Sequence, residues 1–227
     1  ALFQDRSFQA GGFYWTPDTE EITVALFGLF EREIFGFTLQ LSSRFEYVSV
    51  LPDIQYKPAN LESSQLIKRN FELISSGLGV IRTWKNWDFS FSAMLTGRSP
   101  GIEDLYSDGP HLGTYSYEIG KPTLDLEQTI GLEVSLLRNT EKSQIRLTGF
   151  QNRSPNYHIS SKIGNCPESM NWSASSGTSH PCAGSDFIEW GSGSSGWLYK
   201  YQMEGYRVSI SGLESEIKYN LTNWINF

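Results

Sequence analysis

The sequence predicts an all-β fold, built as an antiparallel up-and-down meander of about eight strands. Several stretches alternate strictly between apolar and polar residues, which is the period of a strand with two unlike faces. Phe, Trp and Tyr make up 14% of the 227 residues, and aromatic residues favour strands. Short and long connections follow one another in turn, so that short turns gather at one end of the sheet and long loops at the other.

The first three strands are predicted over residues 7–14, 21–31 and 37–50. The polar turn 16–19 separates the first from the second, and the short turn 34–36 separates the second from the third. The third strand has the clearest alternation of apolar and polar residues. One of its faces carries Phe37, Leu39, Leu41, Phe45 and Tyr47, and the other carries Thr38, Gln40, Ser42, Arg44 and Glu46.

Five more strands complete the meander. They are predicted over 70–82, 87–98, 126–136, 143–159 and 197–221, with long loops over 52–68, 98–121 and 164–196. Pro155 lies inside the seventh strand and predicts a bulge or a frayed end there, because proline cannot donate to a strand ladder. No linker divides the chain, so residues 1–227 are predicted to form a single domain.

The segregation of loop lengths is typical of outer-membrane barrels, which have short periplasmic turns and longer extracellular loops. Aromatic residues near strand ends, such as Trp84 and Trp87, fit the girdles found at membrane interfaces. The formal charge of −7 argues against a nucleic-acid binder. No stretch approaches the about 18 apolar residues of a transmembrane helix. The alternative is a secreted or surface β-sandwich that acts as a binding module. What the apolar face meets, lipid or a second sheet, distinguishes the two.

The two cysteines, Cys166 and Cys182, are separated by fifteen residues of the third long loop. The intervening residues are polar and rich in turn formers, which favours one disulfide that closes the loop in an oxidising compartment. In the chain-entropy model such a closure contributes about 3 kcal/mol. Two free buried thiols in a cytosolic protein are the alternative.

The loop 98–121 contains an unusual run of residues, R-x-P-x-I-E-D-L-Y-x-x-G-P-H, followed by an aromatic-x-Y-E-x-G-K-P-x-L run. The residues are Arg98, Pro100, Ile102, Glu103, Asp104, Leu105, Tyr106, Gly109, Pro110 and His111, then Tyr117, Glu118, Gly120, Pro122 and Leu124. This pattern resembles the barrel of TonB-dependent outer-membrane receptors. Similar runs occur in receptors for siderophores, cobalamin, haem and zinc, so the resemblance identifies the family and not the cargo.

The resemblance implies a barrel of 22 strands closed around a plug domain, in the outer membrane of a Gram-negative bacterium. Residues 1–227 would be one partial barrel domain without the plug. The implied function is uptake of a metal chelate of the siderophore, haem, zinc or cobalamin type, energised through TonB and without covalent chemistry or a resident cofactor. The implied partners are outer-membrane lipid, the receptor's own plug domain, TonB and the small-molecule chelate, with no nucleic acid.

Several loop residues are candidates for contact with a cargo, because aromatic rings could stack on a siderophore or porphyrin. They are Tyr106, His111, Tyr115, Tyr117, Glu118 and Trp172. Packing of loop on loop is the alternative for the aromatic rings, and for His111 it is a bond to a loop carbonyl. The charged residues predicted to face the barrel interior are expected to pair across the wall and with the plug. They are Arg44, Glu46, Arg98, Glu127 and Glu133.

Two other chemistries are weaker predictions. His111, Glu118, His158, His180 and Asp186 all lie in or near the long loops, and histidine and carboxylate ligands suit zinc, but no firm metal site follows from their spacing. The many serines near His180 and Asp186 are not framed by a nucleophile elbow, so the chain is not predicted to be an enzyme.

Overall fold

The computed structural model describes residues 1–9, 15–164, 182, 187–189, 197–222 and 225–226. In chain order the elements are β1 (Leu2–Phe8), β2 (Thr19–Ile34), β3 (Phe37–Pro52), a 3₁₀ helix (Ser63–Gln65), β4 (Arg69–Trp84), β5 (Trp87–Arg98), α1 (Ile102–Tyr106), β6 (Asp108–His111), β7 (Ser116–Ile119), β8 (Glu127–Asn139), β9 (Ser143–Lys162), β10 (Phe187–Glu189), β11 (Trp197–Thr222) and β12 (Ile225–Asn226). The eight longest strands confirm the predicted all-β meander.

Two predictions about local structure are wrong. The first strand covers Leu2–Phe8 and not 7–14, because its register is set by pairing with β2, from Leu2 opposite Ala25 to Phe8 opposite Thr19. Residues 10–14 lie outside the described part of the chain. The loop 98–121 is also more regular than predicted, since it contains the short helix α1 and the hairpin of β6 and β7.

Each long strand pairs antiparallel with the next, in the order β1-β2-β3-β4-β5-β8-β9-β11. The hairpin of β6 and β7 then adds to the far edge of β11, where Tyr199–Gln202 pair in parallel with Ser116–Ile119. The strands therefore belong to one sheet. The alternative of a β-sandwich is wrong for the described residues, because no second sheet packs on this one.

The proline in the seventh long strand marks an irregular register. Tyr206 pairs with Tyr157 and Val208 pairs with Ser154, so that Pro155 and Asn156 of β9 lie opposite the single residue Arg207 of β11. The predicted bulge is confirmed. It arises because proline has no N–H with which to continue the ladder.

The sheet has two unlike faces, as the alternation predicts. The face called here the apolar face carries hydrophobic side chains that are exposed, among them Leu26, Phe30, Phe45, Ile74, Phe89, Ile130, Val134, Leu213 and Ile217. Leu213 is 73% exposed and Leu26 is 68% exposed. The opposite face, called here the polar face, carries Arg44, Glu46, Asp88, Glu133 and Glu214. An apolar band of this kind is typical of strands that face lipid.

The buried core lies at the long-loop end of the polar face. There Val48 and Val50 of β3 and Phe71 and Leu73 of β4 pack with residues of the loops above them. The loop residues are Leu61, Leu66, Leu105, Tyr106 and Leu124. Across the described ranges, no helix combines the length and apolar character needed to cross a bilayer, a finding that has no bearing on a β-barrel.

Candidate functional site

The candidate site is the folded loop 98–121 together with the part of the polar face beneath it. Its first anchor is α1, which inserts Leu105 and Tyr106 into the core with no exposed surface. The Tyr106 hydroxyl donates a hydrogen bond of 2.6 Å to the Ile67 carbonyl oxygen. Burial of the ring, slightly offset by Arg69, raises the pKa of Tyr106 to about 12. The helix is thus held by tertiary contacts, since five residues are too few to form a stable isolated helix.

A polar cluster anchors the start of the loop to the wall. Arg98, the last residue of β5, pairs with Glu127 of β8 at 3.0 Å and lies 3.8 Å from the Asp104 carboxylate of α1. Asp104 in turn accepts a hydrogen bond of 2.9 Å from the Gly101 backbone N–H. The cluster joins the wall strands β5 and β8 through a charge-assisted hydrogen bond, which is the stronger kind, and joins β5 to the helix through the longer ion pair of Arg98 and Asp104.

His158 of β9 completes this cluster, and its side chain has no exposed surface. Its Nε2 lies 2.8 Å from the Asp125 carbonyl oxygen, which can only accept, so Nε2 carries a proton. Its Nδ1 lies 3.4 Å from Arg98 Nη2 and accepts from it, while its backbone N–H donates to Glu127 at 3.0 Å. His158 is therefore a buried connector between β9, Arg98 and the Asp125 carbonyl, and its two ring nitrogens are both occupied by these contacts.

The end of the loop is anchored by cationic side chains. Arg69 of β4 donates to the carbonyl oxygens of Pro122 and Leu124, the latter at 2.9 Å. Lys121 pairs with Glu204 of β11 at 2.5 Å. Sequence reasoning did not identify Arg69 or Glu204 as site residues. The signal that could have identified Arg69 was its place at the first position of β4. It lies on the polar face, at the end where that face becomes apolar toward the long loops.

The hairpin of β6 and β7 is tied to the loop between β3 and β4. The Tyr117 hydroxyl donates to Asp108 at 2.7 Å and accepts from the Asn60 side-chain amide at 3.0 Å. Burial and the bond to Asp108 raise the pKa of Tyr117 to about 12. Tyr106 and Tyr117 are both buried in packing, so the expectation that their rings stack on a cargo is corrected in favour of loop packing.

The tip of the hairpin holds a second polar cluster around one carboxylate oxygen. Glu118 Oε1 lies 2.9 Å from His111 Nδ1 and accepts from Thr114 and Ser116, each at 3.0 Å. The His111 ring stacks on Trp15 with ring centroids 4.7 Å apart. The His111 side chain was expected to bond a loop carbonyl oxygen, but its partner in the structure is the Glu118 carboxylate.

Exposed apolar surface remains at the same tip. Tyr115 is 61% exposed and Leu112 is 51% exposed, and Tyr115 adopts a positive φ of 54° at the turn. Of the candidate cargo contacts, Tyr115 is exposed while His111 and Glu118 are partly exposed and held in the cluster. Trp172 lies outside the described residues. Leu112 was missed by sequence reasoning, although it follows directly on the G-P-H run.

A charged cleft of about 250 Å³ opens under the start of the loop, on the polar face of β1 to β3. Arg6 pairs with Glu21, and Arg44 pairs with Glu46, with Nε of the arginine 2.6 Å from the carboxylate. Arg98 closes the cleft beneath the loop. The predicted pairing across the wall is confirmed for Arg98 and Glu127, which lie on the neighbouring strands β5 and β8, whereas Arg44 and Glu46 pair within β3. Glu133 lies farther down the polar face, beside Arg146 and Glu216.

No three His, Cys, Asp or Glu side chains within the described ranges are arranged to hold a metal ion. His180 and Asp186 of the weaker zinc hypothesis lie outside those ranges. Cys182 is disulfide-bonded, and Cys166, the other cysteine of the sequence, lies outside the described residues. The pairing of Cys166 with Cys182 therefore stays a prediction.

The raised tyrosine pKa values predict an alkaline limit to loop packing. The phenol of each tyrosine has a pKa near 10 in the unfolded chain and about 12 when buried. Its contribution to the stability of the folded loop is therefore fully present below pH 10. That contribution is lost as pH rises from 10 to 12. We expect hydrogen-exchange protection of the α1 amides to fall over this window. The Tyr106→Phe variant should show a smaller pH-dependent fall, and an equal fall in both would contradict the assignment to Tyr106.

Comparison with known proteins agrees with this architecture. A family model described as the TonB dependent receptor-like β-barrel matches residues 3–227. A solved double mutant of the Serratia marcescens hemophore receptor HasR, in complex with its hemophore HasA and heme, is similar with a TM-score of 0.60 and 14% identity, over 91% of this chain and 33% of that chain. The copper transporter OprC is similar with a TM-score of 0.62 and 15% identity, over 96% of this chain and 30% of that one. At these identities the likeness shows the fold, and the chain spans about a third of each structure's length.

Proposed function

Because the chain belongs to the TonB-dependent receptor-like β-barrel family, whose members are outer-membrane transporters and not enzymes, we propose that it is part of the wall of a 22-stranded barrel that takes up a metal chelate. The observation that carries the proposal is the folded loop. It is anchored on the polar face at the long-loop end, while the opposite face of the same strands exposes an apolar band. This arrangement suits a pore entrance in a lipid-embedded wall.

The cargo class is inferred from the relatives and from the loop tip together. HasR was solved with its hemophore and heme, and OprC is a copper transporter, which supports a metal or metal chelate as cargo here. Tyr115 and Leu112 form an exposed apolar surface beside the His111–Glu118 pair. Such a surface suits the planar groups of a siderophore or haem, because aromatic rings stack on planar partners.

The charged polar face supports a plug domain as a further partner. Its arginines are paired with carboxylates around an open cleft, and paired charges of this kind can exchange partners with a polar domain in the barrel interior. Energy for release would come from TonB acting on that plug. In this proposal residues 1–227 form a single partial barrel domain.

The proposal predicts a loss of cargo affinity when the loop tip is truncated. In the full-length protein that carries this chain, we expect Leu112→Ala/Tyr115→Ala to raise the Kd for its cargo about tenfold, because contact residues of this size contribute on the order of 1 kcal/mol or more to binding. Binding of haem, a ferric catecholate siderophore and a Cu²⁺ chelate would be measured by tryptophan fluorescence quenching, followed by uptake in cells.

Ile54→Ala is the matched control, since Ile54 is 60% exposed and lies in a different loop. It should leave the Kd of the bound chelate unchanged. If none of the three chelates binds the full-length protein, the metal-chelate assignment is wrong. If one binds and both variants bind it as tightly as the parent, the loop tip has no part in recognition.

A further inference from the structure

We propose that the short-turn edge of the apolar face binds the headgroups of anionic phospholipids. This edge, called here the basic rim, consists of Arg82, Lys85 and Arg138 with the rings of Phe37, Trp84 and Trp87. The proposal rests on the proposed function in one respect, the placement of the apolar face against lipid. It adds a ligand class and a location.

Each cation of the basic rim lies over an aromatic ring. The Arg82 guanidinium is 4.4 Å from the centroid of Phe37, the Lys85 ammonium is 5.0 Å from Trp84, and the Arg138 guanidinium is 5.4 Å from Trp87. The register makes these pairs contiguous. Trp84 lies opposite Trp87 at the end of β4 and β5, and Trp87 lies opposite Arg138 of β8.

Charge is segregated between the two faces at this end of the sheet. Near the short turns, the carboxylates of Glu33 in β2, Asp88 in β5 and Glu216 in β11 lie on the polar face. The corresponding apolar-face positions of the described strands carry no carboxylate. The apolar-face cations there are Arg32, Arg82 and Arg138.

The rim cations also lack the partners that the polar-face arginines have. No salt bridge within the described ranges involves Arg82, Lys85 or Arg138, and both arginines are exposed. On the polar face, by contrast, Arg44 and Arg98 are paired with carboxylates. A row of unpaired cations next to an exposed apolar band is complementary to a layer of anionic headgroups above acyl chains.

The geometry suits phosphate in particular. A guanidinium supported on a ring keeps its N–H donors at the edge of the ring and can bind phosphate oxygens in pairs. Tryptophan prefers the depth of the headgroups. Because short turns of outer-membrane barrels face the periplasm, the anion is a phospholipid of the inner leaflet. At the long-loop end of β2 and β4 the apolar face instead carries Glu20 and Glu72.

The test uses the full-length protein reconstituted in nanodiscs of phosphatidylcholine that contain a minority of phosphatidylglycerol. Native mass spectrometry of the released protein gives the ratio of the two lipids retained. We expect the parent to be enriched in phosphatidylglycerol, and Arg82→Gln/Arg138→Gln to lose about 25-fold of that preference, at about fivefold for each basic residue near an anionic surface. The matched control, Arg146→Gln/Lys218→Gln, removes the same charge from the polar face of the same end and should retain the parental ratio.

Three outcomes would overturn the proposal. The parent could show no preference for phosphatidylglycerol, or both double variants could lose that preference equally. Alternatively, the binding of lipid A, added in a parallel nanodisc, could be what depends on Arg82 and Arg138. Insertion is measured separately, by heat-modifiable migration after reconstitution in phosphatidylcholine alone. Failure there would reject the membrane wall itself and the basic rim with it, whereas normal insertion without lipid preference rejects only the rim.

Discussion

Truncation of Tyr106 to alanine should release the folded loop from the wall. The ring has no exposed surface and packs in the cluster formed by β3, β4 and the loops above them. Removal of a buried aromatic side chain of this size costs about 3–5 kcal/mol. We therefore expect the protection of the Leu105 and Ser107 amides, which are bonded to Gly101 and Glu103, to fall by about two to four orders of magnitude, as measured by hydrogen exchange on the full-length protein.

Two comparison variants separate packing from other effects of Tyr106→Ala. Tyr106→Phe keeps the ring and removes only the hydrogen bond to Ile67, which should cost about 1 kcal/mol. Tyr115→Ala makes the same truncation at the exposed tip of the same loop and should change stability by less than about 0.5 kcal/mol. Equal and small losses at positions 106 and 115 would mean that the helix is not packed on the wall in solution.

The wall could be predicted from sequence because its signal is local. In β3 and β5 one face is apolar and the other is polar at almost every position, so period-two alternation fixes both the strand and the side on which each residue lies. The bounds of these strands follow from the short turns at Phe35–Gly36 and Lys85–Asn86. β1 was misplaced because its sequence has little alternation and its position depends on the partner strand.

The folded loop could not be predicted in the same way, because its structure depends on contacts with distant residues. Tyr106 and Tyr115 are the same residue type in the same loop, yet one bonds Ile67 inside the core and the other lies at the tip. A five-residue helix is too short for periodicity to indicate it. Only the partner residues, about 40 positions away in sequence, decide which tyrosine is buried.

The sequence of the wall strands nevertheless contained one signal that a loop covers part of their polar face. The polar face of β3 changes from Arg44 and Glu46 to Val48 and Val50 toward the long loops, and the same face of β4 carries Phe71 and Leu73. Apolar residues on an otherwise polar face require a cover, since exposed apolar area is costly in a polar interior. The loop whose Leu-Tyr pair supplies that cover is the one with the family pattern, which explains why the pattern contains buried residues.

Substitution of Gly120 by alanine should displace α1 from the hairpin. A Cβ at this position would lie 2.6 Å from the backbone carbon of Leu105 and 2.6 Å from the backbone nitrogen of Tyr106. Backbone atoms cannot move aside as the end of a side chain can, so the hydrogen bonds of Gly120 to Ser107 and of Lys121 to Asp104, 2.7 and 2.8 Å long, must lengthen. We expect a cost at the upper end of the about 1–3 kcal/mol typical of overpacking. Hydrogen exchange would show it as lost protection of the amides of Gly120 and Lys121.

Gly28→Ala is the matched control, because a Cβ there meets nothing within 4 Å on the apolar face. It should leave the exchange of the loop amides unchanged. If Gly120→Ala also left them unchanged, the close approach of the hairpin to α1 would not exist in solution, and the requirement for glycine in the family pattern would need another cause. If instead Gly120→Ala weakened cargo binding together with amide protection while Tyr115→Ala weakened binding alone, packing of the loop and contact with the cargo would be separated at the level of single residues.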